Sequence, residues 1–368
     1  MKSSQKTIYH NEPTIGQEEI EAVAAALSNL ELTIGSKVEI FERSFSKYIG
    51  INSVSTSSGT SALHMALNAI GVSKDDHVIV PSYTCIAVAL PVLYQQARPI
   101  LVDVKDDFNI SVDEIRKNIT DRTKAIVVPH MFGYPADMNE IKKLCVDTGI
   151  YMIEDCSQSI GAEYHGKKVG TVGDISIFSF YATKLMTSIR GGMVCSKDPQ
   201  LLDSVKELRY HDQCRLSEDH DMRLKYSYMM SDIEASVGII QLSKLGDFIL
   251  RRREISKMYK ELLEGYKIEH PPEDSYKKHV FSRYVIKTPF NPVKVIDRMR
   301  SKDIFCERMH IPPLHKRSLF NSSLSSTGFA QTDRIINSAV SLPIYPTLDD
   351  DQVVYIIDSL NEVLGDFT

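Results

Sequence analysis

Residues 149–197 read GIYMIEDCSQSIGAEYHGKKVGTVGDISIFSFYATKLMTSIRGGMVCSK. The stretch opens on a short apolar run, Tyr151 to Ile153, closed by Glu154 and Asp155, the pattern of a buried strand with a carboxylate at its carboxyl end. A second apolar run, Ile175 to Phe180, leads into Tyr181-Ala182-Thr183-Lys184, and after Gly191-Gly192 a third run spans Met193 to Cys195. Two successive strands thus aim an aspartate and a lysine at one edge of a sheet.

That pairing is what pyridoxal 5'-phosphate (PLP) requires. The ring withdraws electrons well only when its nitrogen is protonated, so a buried carboxylate must sit against it, and Asp155 is the candidate. The aldehyde must be held as a Schiff base by an amine that loses its proton near neutral pH, which burial favours, and Lys184 is the candidate. Taken singly, a lysine is usually a solvated surface group and an aspartate closing a strand a turn residue; the joint pattern carries the reading.

Outward from this stretch, strands and helices alternate from Val54 to Cys195. Strands are expected at His77–Pro81, Pro99–Val104 and Ala125–Pro129, with a helix at Val112–Ile119 and another beginning at Ser82–Ala87. The fold class that follows is α/β, a three-layer domain with a mostly parallel central sheet and a ligand crevice outside the carboxyl ends of the strands. The segment Val54 to Ser61, with Ser58, Gly59 and Thr60 opening into the helix Ala62–Leu67, leaves backbone amides at a positive dipole end, where an anion fits; a serine-rich cap without a ligand is the plain alternative. His130, closing a strand, either faces the crevice or serves as a hydrogen-bonded structural residue.

Before the first strand, Pro13–Leu30 and Ser36–Tyr48 read as helices around a turn at Leu32–Gly35. Past the central stretch come a helix at Leu201–Leu208, a polar segment His211–Arg223 with the character of a mobile loop, and a helix ending near Gln241-Leu242. A long helix, Phe248–Tyr266, is expected to cross to a second unit, followed by a strand His279–Ile286, a helix Pro292–Lys302 and a closing helix Asp350–Leu364. The organisation predicted is a large domain, 1–247, and a smaller α+β C-terminal domain, 248–368, in keeping with a length of 368 residues.

Composition sets the remaining bounds. Hydrophobic residues at 43% and charged residues at 25% are those of a globular protein, and a net charge of -5 with scattered basic residues gives no sign of a nucleic-acid or membrane partner. The N-terminus has no apolar signal-peptide core and no apolar run reaches a membrane span, so the expected location is the cytoplasm. The six cysteines show neither CxxC spacing nor a histidine partner, so no metal site and no disulfide framework is expected.

With these motifs in order, the chain resembles the DegT/StrS family of PLP-dependent sugar aminotransferases, of type I fold, along nearly its whole length. The resemblance implies that Asp155 pairs with the pyridine nitrogen, Gln158 lies by the ring's phenolic oxygen, Ser179 touches the phosphate and Lys184 forms the internal aldimine. Gly59, Thr60, Ala62 and Leu63 match the family's phosphate-binding Gly-Thr-x-Ala-Leu segment, with Ser58 before it. Met309 to His315 resembles the family's His-x-x-Pro-Leu-His loop, so His310 and His315 are implied to border the sugar. The resemblance further implies a homodimer with active sites at the subunit interface, glutamate as amino donor and a keto sugar, nucleotide-linked, as acceptor, in amino-sugar synthesis for a polysaccharide or an antibiotic.

Several positions depart from the family's pattern. Cys85 stands where relatives carry an aromatic residue stacked on the cofactor, with Tyr83 nearby as a substitute; Ser227 and Met229 replace an asparagine that reaches the neighbouring subunit's phosphate and an arginine. Ile189 and Arg190 replace a glycine and a glutamate, and Arg190 is a candidate to meet an anionic group on the substrate, set against simple drift of the loop. The competing readings are the family's sugar dehydratases, which carry a histidine in place of Lys184, a cofactor-free regulatory homologue, and a cysteine desulfurase using Cys214.

Overall fold

The computed structural model describes residues 7–211, 224–323 and 328–367. The expected mobile loop, apart from His211, and Cys214 lie outside these residues.

The helices are α1 (Gln17–Ser28), α2 (Ser36–Ile49), α3 (Gly59–Ala69), α4 (Leu90–Tyr94), α5 (Val112–Asn118), α6 (Met138–Thr148), α7 (Pro199–Leu208), α8 (Asp232–Leu262), α9 (Pro292–Arg300), α10 (Ala330–Ile336) and α11 (Asp350–Gly365). The strands are β1 (Asn52–Thr56), β2 (His77–Pro81), β3 (Arg98–Val102), β4 (Thr123–Pro129), β5 (Tyr151–Asp155), β6 (Glu163–Tyr164), β7 (Lys167–Lys168), β8 (Ile175–Ser179), β9 (Gly192–Ser196), β10 (Lys277–Lys278), β11 (Tyr284–Lys287) and β12 (Ala339–Leu342).

Seven strands form one sheet in the order β1-β9-β8-β5-β4-β2-β3. It is parallel throughout except that β9 runs antiparallel between β1 and β8. The two-residue period of each strand sorts its side chains onto two faces. On one face Ile153, Ile175, Ile177, Ala125 and Val127 pack against α3, α4 and α7. On the other, Ile126, Val128 and Met152 pack against α5 and α6, and Phe178 and Phe180 pack against α2 and α8. Phe178 and Phe180 lie edge-on to Phe45 at centroid separations of 5.0 and 5.5 Å, contacts worth about 0.5–1.5 kcal/mol each beyond their area burial. The α/β three-layer class and the mostly parallel sheet are thus as expected.

The smaller unit is α+β. The antiparallel pair β11–β12 is covered by α9, α11 and the second half of α8, through Ile255 and Tyr259 among others. Ile8 packs into this same core and bridges to Ile304.

Several expected elements differ in detail. The two helices read as ending near Leu242 and restarting at Phe248 are one continuous helix, α8. Only Gly246 interrupts the helix formers there, at a cost of about 1 kcal/mol, and each half is held by its own core. The 247/248 boundary accordingly falls inside α8. The helix expected from Ser82 is a short 3₁₀ turn at Ile86–Val88 followed by α4, which begins at Leu90 with Pro91 in its first turn. The strand expected over His279–Ile286 is cut short because Phe281 adopts φ 49°, so only Tyr284–Lys287 pairs.

Candidate active site

The carboxyl ends of β1, β2, β4, β5 and β8 share one edge of the sheet, and the candidate residues gather there. Asp155 ends β5, paired with Pro129 of β4 and Ile177 of β8. It lies on the α3 face with Ile153, and its Oδ1 accepts a hydrogen bond from the Ser157 amide at 2.9 Å. Glu154, one residue earlier, points to the opposite face and is fully buried. There it accepts amide hydrogen bonds from Gly170 and Val172, both at 2.7 Å. Burial alone would raise its pKa, but the His130 hydrogen bond and the amides of Gly173 and Gly170 hold it below the usual carboxylate range.

His130 is on that opposite face as well. Its Nδ1 accepts from the Ala136 amide at 3.1 Å, so the proton sits on Nε2, which donates to Glu154 Oε2 at 3.2 Å. His130 is thus the structural residue of the two readings given above. His130, Glu154 and Cys156 bring their donor atoms within 4.8 Å of one another, but the Glu154 oxygens are already filled by N–H donors, so no metal reading follows.

Ser179 ends β8 on the same face as Asp155 and meets the start of α3. A Cβ built on Gly59 would lie 2.7 Å from Ser179 Cβ and 3.0 Å from its Oγ. On the other side, a Cβ on Gly192 would lie 2.3 Å from the Ser58 carbonyl oxygen. Only glycine fits at either place. Ser58 caps α3, its Oγ accepting from the Ser61 amide at 3.0 Å, which leaves the Gly59 and Thr60 amides without an intrahelical acceptor. A helix N-terminus with no acidic residue in its first turn and a hydroxyl beside it form a pocket for a phosphate group. Ser57 of this loop is tied back by its amide to the Tyr228 carbonyl at 2.8 Å.

Lys184 follows β8 across a tight turn in which its amide bonds the Tyr181 carbonyl at 2.9 Å, while the Phe180 amide bonds the Gly191 carbonyl at 2.9 Å and closes the loop. Burial pushes the Lys184 amine below the ordinary lysine range; the Asp155 charge opposes this and the Arg283 charge adds to it. An amine so placed is more readily neutral and therefore nucleophilic. Cys85 lies close enough to act electrostatically on Lys184, and it is exposed at the start of the 3₁₀ turn. Tyr83 does not take the place of the missing aromatic: it is 1% exposed and packed against Phe108, Phe132 and His310. Gln158 is half-buried with its amide 4.0 Å from Met131 Sδ.

The two histidines of the C-terminal loop part company. His310 adopts φ 53° and stacks on Phe132 at 6.0 Å. Burial first, then the charges of Lys184 and Arg283, hold its pKa down to about 3, and its Nε2 is buried without a partner. His315 is committed elsewhere: its Nδ1 lies 2.6 Å from Ser82 Oγ and its ring stacks on Phe329 at 4.4 Å. Ser227 is exposed and bridges to Tyr210. Ile189, at φ 68°, and Arg190 are exposed on the loop after Lys184, and among the described residues the Arg190 side chain has no hydrogen-bond or ion-pair partner.

Two residues near Lys184 were missed from the sequence. Arg283 Nη1 reaches the Thr183 carbonyl at 3.5 Å, and Asn11 Nδ2 donates to the same oxygen at 3.2 Å. The signal for Arg283 was a lone cation between the apolar residues Val280, Phe281, Tyr284 and Val285; Asn11, in an irregular N-terminal segment, offered none.

With this geometry in place, comparison with known proteins settles the family. The model of the DegT/DnrJ/EryC1/StrS aminotransferase family matches residues 13–361. The chain belongs to this family. Among curated relatives it is 35% identical to the uncharacterized protein MJ1066 of Methanocaldococcus jannaschii, over 96% of this chain and 97% of that one. It is 33% identical to the GDP-perosamine synthase of Escherichia coli O157:H7, over 96% and 98%. Among solved structures, the aminotransferase TlmJ from Streptoalloteichus hindustanus superposes with a TM-score of 0.92 at 27% identity, covering 98% of this chain and 99% of that one. This aminotransferase-family chain thus shares the fold of that solved aminotransferase over nearly all its residues.

Proposed function

We propose that the chain is a PLP-dependent aminotransferase that moves an amino group, from glutamate, onto a keto sugar carried on a nucleotide. The observation that carries the reading is the convergence of Asp155, Ser179 and the α3 start on one face at one sheet edge, with the Lys184 amine near enough to feel the Asp155 charge. The residues fit the cofactor: the Gly59–Ser179 contact leaves a recess that a Cβ would fill. When bound, PLP supplies the electron sink that lets an amino-bearing carbon lose its proton.

In this reading Gly59, Thr60 and Ser58 of α3 and Ser179 of β8 hold the phosphate. Asp155 keeps the ring nitrogen protonated, with Ser157 fixing one of its oxygens so that the other is free to face the ring. Gln158 would hydrogen-bond the phenolic oxygen, and Cys85, near Lys184, would line the site without offering a ring to stack. Lys184 would hold the cofactor, and its amine would carry a proton to or from the substrate carbon. His310 borders the sugar, while His315 is held on Ser82 and Phe329, and Arg190 reaches an anionic group on the substrate.

We further propose a homodimer whose partner completes the site. Tyr181 and Ile189, on either side of Lys184, are 55 and 50% exposed, and Ser227 is exposed, as a contact to a partner's phosphate would need. A second copy covers this surface. GDP-perosamine synthase in name makes a nucleotide-linked amino sugar, which supports the same class of acceptor here. Among the described residues no helix is long and apolar enough to cross a membrane, and the proposed location is the cytoplasm.

The test loads the protein with PLP, exhausts it with glutamate until the visible absorbance is lost, removes the donor, and adds keto sugars with and without GDP, UDP or dTDP. Recovery of the absorbance with a nucleotide-linked sugar supports the reading. Recovery with none, or with simple keto acids alone, contradicts it.

A further inference from the structure

Beside Lys184, whose own charge is met by Asp155, the chain places a guanidinium that no carboxylate pairs among the described residues. Arg283 stands immediately before β11, where its Nη1 contacts only carbonyls, Ser282 at 2.8 Å and Thr183 at 3.5 Å. Its Nε is buried with no partner. The acid whose charge it feels is Glu307, but Glu307 is paired with His10 at 3.2 Å, and among the described residues Arg283 forms no ion pair. Arg252, 2% exposed on α8 in the same region, is likewise held by carbonyls alone, those of Phe281 and Ile344. A guanidinium desolvated to this degree costs stability unless an anion meets it.

Three elements aim unsatisfied polar atoms at this place. Arg283 Nε, Asn11 Oδ1 and His310 Nε2 are all buried and unpartnered. Asn11 and Arg283 both reach the Thr183 carbonyl, the residue before Lys184. The charges of Lys184 and Arg283 both register at His310. The cluster therefore borders the reactive amine.

We propose that Arg283 is the carboxylate anchor for the amino donor, holding the carboxylate of the incoming amino acid while its amine meets the cofactor held at Lys184. The proposal rests on the aminotransferase reading above. A guanidinium presents two parallel N–H groups to a carboxylate, which fixes the orientation of the donor's amino-bearing carbon as well as its position. Asn11, whose Nδ2 reaches the same Thr183 carbonyl as Arg283, offers its unpartnered Oδ1 to accept from the donor's ammonium group. Arg283 belongs to the smaller unit and Lys184 to the larger, so a bound donor bridges the two.

The test uses the PLP-loaded protein, intact, with R283Q and R283K, and calorimetric titration of glutarate, a dicarboxylate that cannot transaminate. Retained visible absorbance shows that each variant is folded and loaded. R283Q is expected to weaken glutarate by about 30-fold, the loss of a charge-assisted pair, and R283K by less, because one ammonium replaces the fork. GDP and UDP binding is expected to be unchanged. Unchanged glutarate affinity in R283Q overturns the proposal, as does a loss confined to GDP or UDP, which would make Arg283 a contact to the acceptor's phosphates. If the unaltered protein takes up no PLP, the aminotransferase reading fails first; if it takes up PLP and R283Q binds glutarate normally, this proposal alone fails.

Discussion

Gly59 and Ser179 stand so close that a Cβ on the glycine would come within 2.7 Å of the serine Cβ. The start of α3 and the end of β8, some 120 residues apart in the chain, are thereby locked into one recess. Gly59→Ala is expected to push Ser179 out of place and to raise the dissociation constant for PLP about tenfold or more, measured by absorbance titration. Gly246→Ala in α8, where a Cβ meets nothing within 4 Å, is the control: it should leave PLP affinity alone and raise stability by about 1 kcal/mol. Equal PLP affinity in Gly59→Ala and the parent would remove α3 from the phosphate site.

Asp155→Asn retains an oxygen to accept the Ser157 amide but cannot hold a positive charge on a ring nitrogen. It is expected to keep most of its PLP and to lose turnover about 100-fold or more. Steady-state rates at saturating PLP check this, and turnover near the parent's would take Asp155 away from the ring.

Arg190 is exposed, so Arg190→Ala should change stability by no more than about 0.5 kcal/mol. Its effect is expected in KM, raised about fivefold or more for an acceptor bearing a carboxylate or phosphate and little for a neutral analogue. Parallel shifts for both acceptors would leave Ile189 and Arg190 as loop drift.

His64, 3% exposed, has its pKa lowered to about 4 by burial, with Nδ1 3.3 Å from the Tyr228 hydroxyl. Between its unfolded pKa of about 6.5 and about 4, the unfolded chain binds a proton that the folded chain does not. Stability is therefore expected to fall as pH drops through that window, by about 1.4 kcal/mol per pH unit for this group. His64→Phe, which keeps the ring packing on Tyr226 at 4.9 Å, should flatten the slope by that amount in urea unfolding at pH values spaced between the two pKa values, with a sample well above about 6.5 as the reference. Superimposable slopes would show that His64 does not carry the effect.

The parts of the molecule that follow a local period were legible in the sequence. The run Ile-Ser-Ile-Phe-Ser-Phe of residues 175–180 already separates Phe178 and Phe180 from Ser179 by alternation, and the strand-end Asp155 and the lysine four residues past the strand run Ile175–Phe180 follow from the same count. What alternation could not reveal was set by long-range packing. The opposite facing of His130 depends on Glu154 and three backbone amides from residues 170–173. The continuity of α8 depends on two cores, and the place of Arg283 beside Thr183 joins residues 100 apart. His310 and His315 look alike in sequence, yet one stacks beside the Lys184 cluster and the other is spent on Ser82 and Phe329.

The central claim is that Lys184 is the amine that holds PLP, with Asp155 across the same ring. Borohydride treatment of the PLP-loaded protein, followed by peptide mass mapping, tests it most directly. The expected result is a single pyridoxyl group on the peptide containing Lys184, absent from Lys184→Ala. A label on another lysine, or an undiminished label in Lys184→Ala, would contradict it.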